Sequence, residues 1–269
     1  MSKLPATTLL ELEQRGSVLT IWLNRPQAKN ALSVEMIDEL HTVLDAVREE
    51  RALRTLVLRG RGGVFCAGAD LKGFKSGHQD GAADAASVAR DNRHFGDLML
   101  KLNEQPQVVI MLVEGAAIGG GLGLACIGDV TIVTREARFR LSETSLGIPP
   151  AQIAPFVMER VGLTQARRLM LTGARFTGEE AVRVGIGHLL AEDAQDLDAQ
   201  CEQVLEQIAL CAPGANAVTK SILFEATRRP RAEALDFAAR GFADCMLSDE
   251  GREGVAAFVE KRRPAWAGR

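Results

Sequence analysis

The chain has 269 residues, with 46% hydrophobic and 25% charged side chains, which are the proportions of an ordinary globular protein. A formal net charge of −3 and an aromatic content of 4% exclude the basic footprint and the stacking platform of a nucleic-acid binder. Tyrosine is absent, so acid–base chemistry by a phenol is excluded as well.

In chain order, Leu9–Gln14 and Val18–Leu23 alternate with period two around Arg15-Gly16 and read as a hairpin. Asn24-Arg25-Pro26 stops the second strand. Ser33 then caps an amphipathic helix with Met36, Leu40, Val43, Leu44 and Val47 at helical spacing. Leu56-Val57-Leu58 is the next strand, followed by the turn cluster Arg59–Gly63. Val64–Leu71 reads as a further strand ending at glycine, with a helix beginning at Asp70. The polar, weakly periodic stretch 72–95 reads as a surface loop or lid. Strands over 108–113 and 129–134 follow, and the strand–helix–strand alternation points to a largely parallel sheet. Beyond Pro155 the pattern is helical. Thr177 with Glu180 fits a capping box, and further helices run over 194–210, 213–227, 231–246 and 250–262. These last helices either pack on the sheet or form an arm that packs on another subunit.

The most informative stretch is Val113–Cys126, where five glycines fall within nine residues between an apolar strand and an apolar helix. Glycine lets the backbone approach a ligand, and a helix start points unpaired N–H groups and a positive dipole end at it. An ordinary tight turn between a core strand and a core helix is the alternative. Neither nucleotide motif fits. No Lys follows the glycines, and Leu124 stands where the third glycine of G-x-G-x-x-G belongs.

The five cysteines (Cys66, Cys126, Cys201, Cys211, Cys245) form no C-x-x-C and the four histidines no H-x-x-x-H, so reduced thiols and no metal site are expected. The N-terminus lacks the apolar core of a secretory signal. The most apolar window, interrupted by Glu114 and Asp129, is too short to span a bilayer. The expectation is a soluble, cytoplasmic protein with neither a membrane nor a nucleic-acid partner.

Four segments in this order, Asn24-Arg25-Pro26 with Asn30–Ser33, Phe65–Leu71, Gly115–Gly121 and Phe258–Arg262, resemble the enoyl-CoA hydratase/isomerase (crotonase) superfamily over nearly the whole chain. The resemblance implies an α/β fold. Residues 1–195 would form a spiral ββα core of two sheets holding the CoA-ester site, and residues 196–269 a helical region that trimerises, with trimers pairing into hexamers. It implies an acyl-CoA thioester as substrate and no separate cofactor. By position, the amides of Ala69 and Gly120 would stabilise the thioester enolate, each supplying roughly 3–4 kcal/mol to the transition state. Glu143 aligns with one family carboxylate, while the other position is Gly123. Two carboxylates gripping one water are thereby ruled out, and Glu143 is left as acid–base group.

The run Leu146–Phe156 also departs from the usual Pro-Gly-x-Gly-Gly-Thr pattern, reading Pro-Pro-Ala-Gln-Ile-Ala-Pro. In this it is similar to bacterial glutaconyl-CoA hydratases, which act on isohexenylglutaconyl-CoA or 3-methylglutaconyl-CoA. The form of the run tilts toward the isohexenyl substrate. Ala28, Ala67, Ala69, Asp70 and Leu71 would line the thioester and pantetheine path. Lys72 and Lys261 match basic positions near the adenine and its phosphates, and equally fit solvated surface amines. A substrate carboxylate would find its cation among Arg140, Arg93, Lys75 and His78. Two other readings stay open: an isomerase of the same superfamily working with one carboxylate, and a non-catalytic CoA-ester binder.

Overall fold

The computed structural model describes residues 4–70 and 84–268. Its larger sheet begins with the hairpin β1 (Leu10–Arg15) and β2 (Val18–Leu23), turned at Gly16 with φ 58°. From β2 the pairing becomes parallel through β3 (Thr55–Gly60), β4 (Val108–Val113), β6 (Val130–Thr134) and β9 (Leu189–Ala191), giving the order β1-β2-β3-β4-β6-β9. A smaller sheet holds β5 (Ala116–Ile118), β7 (Arg138–Arg140) and β8 (Arg175–Thr177). The mixed sheets and the helical C-terminal region are the crotonase-type α/β architecture that the four segments imply.

β4 reads as an unbroken apolar run because both its faces are covered. Met111 and Val113 join the main core with Leu40 and Leu44 of α1 (Val34–Val47) and Leu98 and Met99 of α2 (Ala85–Asn103). Ile110 and Leu112 lie on the opposite face, under Leu197, Cys201 and Val204 of α6 (Ala194–Ala209). Each such side chain contributes roughly 1.5–3 kcal/mol on burial.

The chain steps from one sheet to the other at Glu114-Gly115. Gly115 has φ 68°, and a Cβ there would run into the Gly63 carbonyl oxygen. Only glycine permits this crossing, and it sets the direction of β5 and of α3 (Gly120–Ile127) behind it. The remaining helices are α4 (Ala154–Thr172), interrupted at Gly162 with φ 73°, α5 (Gly178–Arg183), α7 (Pro213–Arg228), α8 (Arg231–Leu247) and α9 (Asp249–Val259).

Three expectations change. Residues 64–70 are not a strand but a segment held by two isolated bridges, Leu32 to Ala69 and Cys66 to Ala117. Residues 85–95 are not loop: α2 starts there, with the Asp84 carboxylate accepting from the Ser87 amide as its cap. Thr177 stands at the N-cap of α5, but its side chain makes no capping bond. The Glu180 carboxylate instead meets Arg168 and Arg183. The helix expected from Asp70 falls on residues outside those described.

Candidate active site

The glycine turn and segment 66–69 run side by side. The Cys66 amide donates to the Ala116 carbonyl (2.9 Å) and the Ile118 amide to the Cys66 carbonyl (3.0 Å). On the other flank, the Leu32 amide bonds the Gly68 carbonyl (2.8 Å) and the Asp70 amide bonds the Leu32 carbonyl (2.9 Å). In a parallel bridge of this form the intervening residue, Ala69, aims its own N–H away from Leu32, and so toward the turn at Gly119-Gly120. Gly68, with φ 91°, makes the approach possible. A Cβ on it would lie 2.7 Å from the Ile118 carbonyl oxygen and 3.6 Å from the Gly120 nitrogen. Gly120 opens α3, where an N–H has no intrahelical acceptor. Neither the Ala69 amide nor the Gly120 amide has a protein acceptor among the described residues. Two donors therefore border one small space, with the positive end of α3 behind them.

Leu32 and Phe95 wall this space. A Cβ on Gly120 would come within 3.2 Å of both side chains. Phe95 is missing from the sequence-derived set because it falls in the stretch read as loop. The spacing Phe95, Leu98, Met99, Leu102 is nevertheless one helix face and was the available signal.

Glu143 enters from the short 3-10 turn Glu143–Leu146, closed by Gly147 in the left-handed region. Its Oε1 sits 2.7 Å from where Gly119 would carry a Cβ, so only a glycine at 119 leaves room for the carboxylate. Its Oε2 is buried with no hydrogen-bond partner among the described residues. Burial pushes the carboxyl above the usual carboxylate range, and the backbone amides of Glu143 and Ser142 offset this in part. Gly123 is fully enclosed, with Ile153 and Met99 filling the space beside it. Cys66 is the nearest thiol in sequence to Ala69. Burial raises it to about 12, so it remains a neutral thiol and no nucleophile.

The other expected residues divide. Ala67 joins the same framework, its amide bonding the Lys29 carbonyl at 3.0 Å, and Ala28 closes the preceding turn Pro26–Ala28. Asp70 turns its carboxylate onto Arg25 (2.9 Å), whose guanidinium also bonds the Ala31 carbonyl (2.8 Å). This ties the Asn24–Ser33 loop to the segment bearing Ala69. Buried Asn30 completes the tie, donating to the Arg61 and Val64 carbonyls. Lys261 lies exposed just past α9, and no contact joins it to this site among the described residues. Leu71 and Lys72, with Lys75 and His78, lie outside the described residues.

Of the candidate partners for a substrate carboxylate, Arg93 is paired with Asp97 (2.6 Å). Arg140 donates to the Gly173 carbonyl (3.3 Å) and the Ser145 hydroxyl (3.1 Å) and has no acidic partner among the described residues. It lines a cleft of about 480 Å³ with Arg138, Arg175 and Ile118.

The site therefore holds a glycine turn, a neighbouring segment ending at Ala69, and a half-buried carboxylate beside the turn. The chain belongs to the enoyl-CoA hydratase/isomerase family, whose sequence profile matches residues 13–269. It is an enzyme of the enoyl-CoA hydratase type, from a family that acts on CoA thioesters. It is 31% identical over 260 residues to a probable enoyl-CoA hydratase of Bacillus subtilis (strain 168), covering 96% of this chain and 98% of that one. It superimposes on Pseudomonas aeruginosa AtuE with a TM-score of 0.94 and 51% identity, over 97% of this chain and 100% of the other. An enoyl-CoA hydratase/isomerase from Marinobacter aquaeolei gives 0.93 and 44%, over 96% and 99%.

Proposed function

We propose that the protein adds water reversibly across the α,β double bond of a branched enoyl-CoA, isohexenylglutaconyl-CoA or 3-methylglutaconyl-CoA. The observation that carries this reading is the buried Oε2 of Glu143, without a hydrogen-bond partner among the described residues, in a carboxylate packed against the Gly119 turn. The thioester oxygen accepts from the Ala69 and Gly120 amides, which stabilise the negative charge as it develops. Glu143 takes a proton from water as the hydroxide oxygen bonds to the β-carbon. The electron pair of the double bond passes to the thioester oxygen as an enolate. The same carboxyl, now protonated, returns the proton to the α-carbon. A carboxyl held above its usual range suits both halves of that exchange.

Ala28, Ala67, Asp70, Leu71, Lys72 and Lys261 carry the thioester, pantetheine and adenine end of the substrate in this reading. Arg140, with no acidic partner among the described residues, takes the substrate's terminal carboxylate. The active form is a trimer or a pair of trimers in the cytoplasm, with residues 1–195 as core and 196–269 as assembly region.

The test is Glu143→Gln, which keeps the shape of the side chain and removes its proton transfer. Hydration is expected to fall by roughly 10²–10⁴-fold. A rate within a few-fold of the parent enzyme would sink the assignment. A single carboxylate also serves a double-bond isomerase, and running the reaction in heavy-oxygen water separates the two. A hydratase incorporates label into product, whereas an isomerase takes up none. Arg140→Met is expected to raise KM about tenfold or more for a carboxylated substrate and to leave crotonyl-CoA unaffected. An equal effect on both would remove Arg140 from substrate recognition.

A further inference from the structure

Successive side chains of the small sheet point to opposite faces. Ala117, Phe139 and Phe176, the middle residues of β5, β7 and β8, lie in register and are buried in the core. Their neighbours face the other way. Ile118, Arg140 and Arg175 make one row across that outer face, and Ala116, Arg138 and Thr177 make the next. Ile118, the three arginines, Thr177 and Ser142 line the cleft of about 480 Å³. That volume is ordinary for a small-molecule site.

The charge in this cleft is one-sided. No Asp or Glu lines it among the described residues. Arg140 and Arg175 stand directly opposite each other on antiparallel strands, an arrangement in which like charges are destabilising. Arg175 makes no side-chain hydrogen bond or ion pair among the described residues, and Arg140 has only the neutral acceptors Gly173 and Ser145. Arg138 meets Glu136 at 3.5 Å, but both side chains are mostly in water, so that pair neutralises little. The hydroxyls of Ser142 and Thr177 also have no protein partner among the described residues. Beside Arg140 in its row, the partly buried Ile118 offers hydrocarbon next to the charge. Donors around an apolar side chain suit an aliphatic acid better than an inorganic ion.

We propose that this outer face is a carboxylate-binding subsite, in which Arg140 and Arg175 grip one carboxylate from adjacent strands while Ile118 receives the hydrocarbon next to it. The planar guanidinium fork matches a carboxylate, and Arg138, one row away, adds longer-range attraction. Two sources share this chemistry: the acid end of an acyl group on CoA, and a free short dicarboxylate. The use of Arg140 for an acyl end rests on the function proposed above, whereas its pairing with Arg175 rests on strand register alone.

Binding of saturated thioesters tests the subsite without turnover, because neither butyryl-CoA nor glutaryl-CoA has a double bond to hydrate. Titration calorimetry on the parent protein and on Arg175→Met compares these two with free glutarate. For an acyl end, glutaryl-CoA is expected to bind about tenfold or more tighter than butyryl-CoA. Arg175→Met is expected to remove that advantage and to leave the affinity for butyryl-CoA unchanged. Arg175→Lys, which keeps the charge but not the fork, is expected to retain part of it. For a free ligand, glutarate alone is expected to bind the parent and to weaken about tenfold or more in Arg175→Met.

The subsite is overturned if the parent neither prefers glutaryl-CoA nor binds glutarate. It is also overturned if Arg175→Met leaves every affinity unchanged, or weakens both thioesters equally. If Arg140→Met removes the glutaryl-CoA preference and Arg175→Met does not, the role of Arg140 stands and the paired subsite falls. A Glu143→Gln variant that hydrates at the parent rate would end the hydratase reading and leave these affinities as the measure of the subsite.

Discussion

Glu143 is costly where it stands, because an ionised carboxylate with a buried oxygen that has no partner among the described residues has surrendered part of its hydration. Its folded value lies above the ordinary 4.5, so the native state holds the proton more tightly than the unfolded chain does. The stability associated with that proton is fully present below about pH 4.5 and is lost as pH rises through the folded value. Glu143→Gln is therefore expected to raise Tm at pH 7, with the gain shrinking toward pH 4. A constant difference across that range, read by calorimetry, would show that burial is not what perturbs the group. Gly68 is the complementary case on the backbone side. Its φ of 91° and the nearness of the Ile118 carbonyl leave no room for a Cβ. Gly68→Ala is expected to cost about 1–2 kcal/mol in strain, and to lower kcat about 10²-fold as the Ala69 amide is displaced. Urea titration and steady-state kinetics on one preparation separate the two effects.

At the scale of elements, a largely enclosed cation helps to join the C-terminal helices to the large sheet. Lys220 of α7 reaches Asp129 (2.5 Å) and donates to the Gln105 and Gln107 carbonyls at 2.9 and 2.7 Å. Burial pulls its ammonium below the usual lysine range, while the Asp129 carboxylate works against that shift. Removing the cation strands a carboxylate that also receives the Val109 amide at the start of β4 (2.7 Å). Lys220→Met is expected to cost about 1–3 kcal/mol in urea unfolding, because three charge-assisted contacts are lost while water reaches the exposed Asp129. A loss below ~1 kcal/mol would mark the pair as solvated.

Nothing in the residue pattern announces Lys220–Asp129, whose partners are distant in sequence. Other elements were plain to read. The hairpin, the Ser33 cap and strand β4 follow from alternation, a capping hydroxyl and an unbroken apolar run. The start of α2 was missed because its first turns carry Ala, Ser, Arg and Asp, and the apolar face begins only at Phe95. The site divides in the same way. A lone Glu143 and an empty position at 123 are visible in the letters. That Ile153 fills the vacancy depends on α4 folding back beside α3, which no local period encodes.

For the whole molecule, the unresolved demand is apolar surface. Leu235, Phe242 and Leu247 on α8, with Phe258 and Val259 at the end of α9, are between 63% and 86% exposed. Exposed apolar side chains of this size are a common mark of a surface that another chain covers. Burying each would contribute roughly 1.5–3 kcal/mol. The trimer or hexamer proposed for the active form would supply that cover. Light scattering coupled to size exclusion is expected to give the mass of three or six chains, with Tm rising as protein concentration rises. Phe242→Glu with Phe258→Glu places two charges in the layer, which would be strongly unfavourable between chains and mild in water. The double variant is expected to shift toward single chains and to lose the concentration dependence of Tm, while its near-ultraviolet signal persists. A parent protein that runs as a single chain at micromolar concentration, with Tm independent of dilution, would contradict the assembly. The exposed phenylalanines would then require a different partner.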